Sequence, residues 1–213
     1  DFFDSLCHTF STMATGGYST KNSSITGYSP LIQWTIIIFM FIGGVNFSLH
    51  YIAFKKRNLK CYFKNWEFTF YFLIITACAI LAFIGLADIP GLEERVRTSL
   101  FQIVSIITTT GYVTADYTKW APIGQGVILA VMLIGGCAGS TAGGVKVGRY
   151  LIMLGRVKIE LKKMIHPKAL IPVRFGERIL SDELVINVLQ FFFLYIALII
   201  TGTIMMSFFG LDL

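Results

Sequence analysis

Thr12-Met13-Ala14-Thr15-Gly16-Gly17-Tyr18-Ser19-Thr20 and Ile106-Ile107-Thr108-Thr109-Thr110-Gly111-Tyr112-Val113-Thr114 are two copies of one sequence, and reading them as copies decides the fold. Extended backwards to Asp4 against Thr98, the alignment holds a constant offset of 94, with Ser5/Ser99, Leu6/Leu100, Ser11/Ser105, Thr15/Thr109, Gly17/Gly111, Tyr18/Tyr112 and Thr20/Thr114 identical. It resumes at an offset of 92, where Pro30, Met40, Ile42, Gly43 and Gly44 meet Pro122, Met132, Ile134, Gly135 and Gly136. An internal repeat is one structural unit used again, so it has to be found before any motif is interpreted. Each copy reads as a short helix, a Thr/Gly/Tyr strip, a polar loop and a long apolar segment that begins near a proline.

The surrounding composition says where such units live. With 55% hydrophobic residues, 14% charged residues and a mean hydropathy of +0.71, the chain belongs in a bilayer. Four apolar stretches, 31–54, 68–89, 122–145 and 185–211, reach the roughly 20 residues needed to span the hydrocarbon core. The second is closed by Asp88-Ile89-Pro90-Gly91. The formal charge of +6 is not a nucleic-acid signature, because the charges sort by connector. Lys55, Lys56, Arg57, Lys60 and Lys64 lie in one connector; Lys146, Arg149, Arg156, Lys158, Lys162, Lys163, Lys168, Arg174 and Arg178 lie in another. Only Lys21, Arg95, Arg97 and Lys119 remain, among Asp1, Asp4, Asp88, Glu93, Glu94 and Asp116. The positive-inside rule makes the two basic connectors cytoplasmic and gives alternate helix directions without conflict. From 150 to 170, Leu151, Leu154, Leu161 and Ile165 alternate with basic residues, a pattern for an interfacial helix or a docking surface.

The short helices, at about 1.5 Å per residue, are too brief to cross a ~30 Å core, so each is expected to enter the membrane and return through its strip. Irregular backbone at that depth has to be buried in protein or line a watery cavity. The strips, Thr15-Gly16-Gly17-Tyr18 and Thr109-Thr110-Gly111-Tyr112, carry no acidic side chain, so backbone and hydroxyl oxygens are the available cation ligands. They resemble the potassium-channel TVGYG loop, whose carbonyls replace the hydration shell of the ion. The predicted fold is therefore an all-α integral membrane protein, with repeated helix, pore-loop and helix units around a central ion pathway. Units are expected over 1–54 and 68–149, a connector over 55–67, a basic connector over 150–184 and the first helix of a further unit over 185–213. The first copy lacks an outer helix of its own, so the chain reads as an excerpt of a longer polypeptide.

Glycines Gly135, Gly136, Gly139, Gly143 and Gly144, with Ser140 and Thr141 among them, make a poor helix, since each glycine costs ~1 kcal/mol relative to alanine. A break is expected there, with close helix packing through small residues as the alternative. The segment lacks the full phosphate-binding GxxxxGK[ST] pattern and follows a spanning helix rather than a strand. Together with the two strips it resembles the Trk/Ktr/HKT superfamily of potassium and sodium transporters, most closely the bacterial Trk potassium-uptake group. That resemblance covers essentially the whole chain, from the second family repeat's pore loop to the first helix of the fourth. It implies a pore of four repeats in one polypeptide and a filter containing Thr15, Gly16, Gly17, Tyr18, Thr109, Thr110, Gly111 and Tyr112 as ion-binding residues. It also implies an intramembrane gating loop at Gly135, Gly136, Gly139, Ser140, Thr141, Gly143 and Gly144. Potassium is then the substrate, with no covalent cofactor and no catalytic residue. Further implications are a bacterial inner-membrane location, a peripheral cytoplasmic nucleotide-binding regulatory subunit, and a homodimer of full-length chains. A sodium or mixed transporter of the same superfamily stays open, because the discriminating position of plant relatives lies in a repeat this sequence does not contain.

Other chemistries find less support. His8, His50 and His166 have no ligand-like spacing, and Cys7, Cys61, Cys78 and Cys137 show neither a zinc pattern nor a disulfide framework. A hydrolase using Ser140 as nucleophile would need a base such as His50 beside it, and would leave both strips unexplained.

Overall fold

The first short helix, α1 (Phe2–Met13), starts where the Asp1 carboxylate accepts the Phe3 amide at 3.2 Å, and it stops at Ala14, just before Thr15 turns to a positive φ. In the computed structural model, residues 1–87, 89–166, 172–176 and 178–210 are described, and they form two units, Asp1–Gly148 and Arg149–Leu213. Asp88, Lys168, Leu170 and Leu211, to which the sequence assigned a helix end, connector positions and a helix end, lie outside the described residues. The side chains of Arg174 and Arg178 lie outside them as well.

In the first unit, α2 (Pro30–Gly43) has proline in its first turn, where the missing amide costs nothing. It does not continue to residue 54 as one span. It ends at Gly44, and α3 (Phe47–Lys56) leaves at 96° to it, capped by Asn46, which accepts the Ser48 amide at 2.8 Å. The break is held by close packing that only glycine allows at 44 and by remote hydrogen bonds. Tyr71 donates to the Phe41 carbonyl at 3.3 Å, and its hydroxyl occupies the place a Cβ on Gly44 would need. The carbonyls of Gly43 and Gly44 that the break frees accept hydrogen bonds from amides almost a hundred residues away.

After the short α4 (Lys60–Lys64), α5 (Trp66–Ile84) is capped by Asn65, which accepts the Phe68 amide at 3.0 Å. It spans 19 residues, about 28 Å, and ends at Gly85 rather than at 89. The second short helix, α6 (Leu92–Ile107), carries Glu93 and Glu94 in its first turn, which suits the positive end of the helix dipole. A single 3-10 turn at Tyr117–Lys119 leads to α7 (Pro122–Met132). The predicted span 122–145 is thus helical only in its first half, as its glycines require. Helix α5 packs on α6 and α7, and α6 packs on α2, around fully buried Met40, Tyr71, Phe101, Ile103, Ile107, Ile128 and Val131.

The second unit opens within α8 (Val147–Ile165), which covers the predicted interfacial segment as far as 165. A two-residue antiparallel hairpin, β1 (Arg174–Phe175) with β2 (Arg178–Ile179), departs from a purely helical reading. Ser181 then caps α9 (Asp182–Phe208), accepting the Leu184 amide at 3.4 Å. Arg149 stacks over the Phe191 ring at 3.7 Å, and Arg156 pairs with Glu160 at 2.8 Å and with Asp182 at 3.4 Å. Helix α9 is 27 residues long, about 40 Å, and its most apolar 18 residues have a mean hydropathy of 2.4, the property of a helix solvated by lipid or by other membrane helices.

Candidate functional site

The two strips repeat in backbone as well as in sequence. Thr15 and Thr109 have φ of 50° and 55°, and Gly17 and Gly111, two residues on, have φ of 70° and 86°. In each copy the turn out of the helix closes on the same serine. Gly16 donates to the Ser11 carbonyl at 2.8 Å, and Thr110 donates to the Ser105 carbonyl at 2.9 Å. A β-branched residue in the left-handed region is strained by about 1–3 kcal/mol, and such strain persists only where its surroundings enforce it. Here it recurs at equivalent positions of the two sequence repeats. The strips also meet: a methyl group on Gly17 would overlap the carbonyl oxygen of Thr110, so only glycine allows this approach.

The outer ends of the strips differ. Tyr112 is 1% exposed, its hydroxyl donates to the His8 carbonyl of the preceding repeat at 3.4 Å, and its carbonyl accepts from the Ser105 hydroxyl at 2.7 Å. Tyr18 is 82% exposed, and the buried Ser11 hydroxyl has no hydrogen-bond partner among the described residues. Behind the strips stand two residues that sequence reasoning passed over. His8 donates from Nδ1 to the Asp4 carbonyl at 2.6 Å, because a carbonyl only accepts, and this leaves Nε2 facing Ser19 Oγ at 3.0 Å. Its counterpart 94 residues on, Gln102, donates to the Ala115 carbonyl at 2.7 Å. The alignment shows only an unlike polar pair at one repeated position, without saying what either side chain contacts.

The Gly-rich segment is irregular from 133 to 146 and touches both strips. Its neck is closed by Gly135 donating to the Val145 carbonyl at 2.8 Å and Val147 donating to the Gly136 carbonyl at 3.1 Å. At the strips, Gly143 donates to Thr109 Oγ1 at 2.6 Å, and Thr15 Oγ1 donates to the Thr141 carbonyl at 3.0 Å. Its lower side is joined to the break between α2 and α3. Cys137 donates to the Gly44 carbonyl at 2.9 Å, the Thr141 amide to the Gly43 carbonyl at 3.3 Å, and Phe47 to the Gly139 carbonyl at 3.0 Å. The two helix breaks therefore satisfy each other's backbone groups, which lipid could not do. All seven loop residues singled out from sequence lie in this irregular segment, and all eight strip residues lie between the short helices and their loops.

Two further polar groups in the first unit were not anticipated. The Glu67 carboxylate, at the start of α5, accepts from both Ala138 and Gly148. Arg97, one of the four basic residues outside the two basic connectors, is buried and donates to Gln33 and, at 2.9 Å, to Glu93. Trp34 donates to the same Glu93 oxygen at 2.9 Å; the Arg97 guanidinium and this indole N–H hold the Glu93 carboxyl below the usual carboxylate range. A nucleophile and base pair is not formed at Ser140. Its hydroxyl donates to the Cys137 carbonyl at 2.6 Å, whereas His50 is engaged by the Tyr62 hydroxyl at 2.7 Å and the Ile42 carbonyl at 3.0 Å.

Comparison with known proteins finds relatives over the whole chain. A sequence profile of the TrkH family, described as a cation transport protein, matches residues 1–208. The "Trk system potassium uptake protein TrkH" of Escherichia coli K12 is 34% identical over 218 residues, covering 100% of this chain and 45% of that protein. The protein of the same name from Halomonas elongata is 36% identical over 202 residues, covering 93% of this chain and 42% of that one. The crystal structure of the potassium transporter TrkH from Vibrio parahaemolyticus superposes with a TM-score of 0.92 at 33% identity, over 99% of this chain and 46% of that chain. The chain thus spans less than half the length of the relatives it matches. The repeated strips, the broken helices and the match over residues 1–208 make this chain a member of the TrkH family of cation transport proteins.

Proposed function

We propose that this chain forms part of a potassium-uptake pore in a bacterial inner membrane, in which the two strips select the ion and the 133–146 loop obstructs its path. Oxygens of Thr15, Gly16, Gly17, Tyr18, Thr109, Thr110, Gly111 and Tyr112 would replace the hydration water of a potassium ion, the transported substrate. The carboxyl ends of α1 and α6 point their partial negative charge toward the strips and add attraction for a cation. Two strips supply only part of a coordination shell, and by the resemblance to a four-repeat pore two further strips would supply the rest. The observation that carries the reading is that one loop is hydrogen-bonded to the first threonine of both strips. An ion leaving the strips on that side meets Thr141 and Gly143. Potassium rather than sodium is favoured by the names of the relatives, all Trk potassium-uptake proteins. The basic surface of α8, with Lys158, Lys162 and Lys163, suits a peripheral cytoplasmic nucleotide-binding subunit, and the complete chains would pair as a homodimer.

The test is a loop-shortened transporter lacking residues 139–141. Rubidium uptake per inserted protein is expected to rise several-fold, while the potassium-to-sodium ratio stays unchanged because the strips are untouched. Unchanged or lower uptake by a correctly inserted variant refutes the obstruction, and the glycines then serve helix packing.

A further inference from the structure

We propose that Glu67 is the positioning residue of the 133–146 loop: a single carboxylate oxygen ties the middle of the loop to the first turn of the helix that follows it. Glu67 is 6% exposed and is the second residue of α5, whose most apolar 18 residues have a mean hydropathy of 2.1. A carboxyl group in such a place needs specific partners. It has two, on the same atom: Oε1 accepts the Ala138 amide at 2.6 Å and the Gly148 amide at 3.1 Å.

Neither amide has an alternative acceptor built into its own segment. Ala138 lies in irregular backbone, and Gly148 is in the first turn of α8, where amides have no intrahelical acceptor. An acidic group at a helix amino terminus is also favoured by the dipole. Lys146, between the two amides in sequence, adds positive charge near the carboxylate, and its ammonium donates to the Ala142 carbonyl of the same loop. Both ends of the contact matter for the strips. Ala138 precedes Thr141 and Gly143, which touch Thr15 and Thr109, and Gly148 follows the neck closed by Gly135 with Val145. The carboxylate therefore joins the loop's rising limb to its exit, and its removal would free both from α5 at once. The effect on conduction rests on the obstruction proposed above; the effect on the loop itself does not.

The experiment compares E67A and E67Q with the wild type in the complete transporter, reconstituted in nanodiscs for hydrogen–deuterium exchange and in vesicles for rubidium uptake. A hydrogen bond to a charged acceptor is worth on the order of a tenfold change in an equilibrium. Exchange in peptides covering 135–148 is expected to accelerate roughly tenfold or more in E67A, with α6 unchanged, and uptake is expected to rise several-fold at constant ion preference. In E67Q the amide oxygen can still accept both bonds, so both readouts should fall between E67A and wild type. Should E67A fail to insert, E67D, one methylene short of both amides, provides the same readouts. If loop shortening raises uptake while E67A leaves either loop exchange or uptake at the wild-type level, the proposal is overturned. Faster exchange spread equally over α5, α6 and the loop overturns it too, since that is general destabilisation. If loop shortening leaves uptake unchanged, the obstruction reading is what fails, and the exchange data alone decide whether Glu67 holds the loop.

Discussion

Replacing Thr109 by valine should loosen the loop from the second strip and raise ion flux about fivefold. The substitution keeps β-branching, so the strain of the left-handed backbone at φ 55° is common to both side chains and cancels. What changes is one hydroxyl: Oγ1, which is engaged by the Gly143 amide at 2.6 Å, becomes a methyl group, while the Thr109 carbonyl stays in place as a proposed ion ligand. Both residues are exposed on the surface where they meet, so water can replace the lost acceptor, and the cost is that of an ordinary neutral hydrogen bond, about 1 kcal/mol. If the obstructing position dominates, flux follows the ratio of displaced to seated loop, and 1 kcal/mol is about a factor of five in that ratio. Thr15→Val should do less, because its hydroxyl proton is shared between Thr141 at 3.0 Å and its neighbour Ala14 at 2.7 Å. The assay is the initial rate of rubidium uptake per inserted transporter, with Thr109→Ser as control because it retains the hydroxyl. A Thr109→Val rate at or below that of wild type and Thr109→Ser would refute the reasoning that this bond seats the loop.

Two other outcomes bear on the strips and on the helix break. Gly17→Asp and Gly111→Asp should abolish ion preference, measured as the potassium-to-sodium uptake ratio. Each puts a side chain on a left-handed backbone position, and the first also collides with the Thr110 carbonyl. Gly44→Ala should destabilise the first unit by about 1–3 kcal/mol through overpacking against Tyr71 Oη. Adding Tyr71→Phe should recover part of that loss, so thermal unfolding of the four proteins should give a non-additive cycle; an additive one would mean the hydroxyl is not the obstacle.

Much of this arrangement is legible in the sequence, for identifiable reasons. Repetition at an offset of 94 exposed the strips, because backbone that must adopt an unusual conformation constrains residue type at each position. Glycine density marked the break after Met132, because helix propensity is a local property. The 96° bend at Gly44 was also foreshadowed, since Gly43 and Gly44 align with Gly135 and Gly136, yet the apolar run on either side reads as one continuous span. Two glycines alone do not break a membrane helix; the freed carbonyls must find donors, and here they come from Cys137 and Thr141. Glu67, His8 and Gln102 were illegible for the same reason. A polar residue in an apolar helix states a need for a partner without saying which one, and Ala138, Ser19 and Ala115 are brought to them by the packing of separate elements. Composition, charge order and repetition were therefore enough for a helical membrane protein with two repeated strips and a broken helix. That the break is seated on both strips, and that a buried carboxylate holds it there, depended on hydrogen-bond partners distant in the chain, which only the folded arrangement could choose.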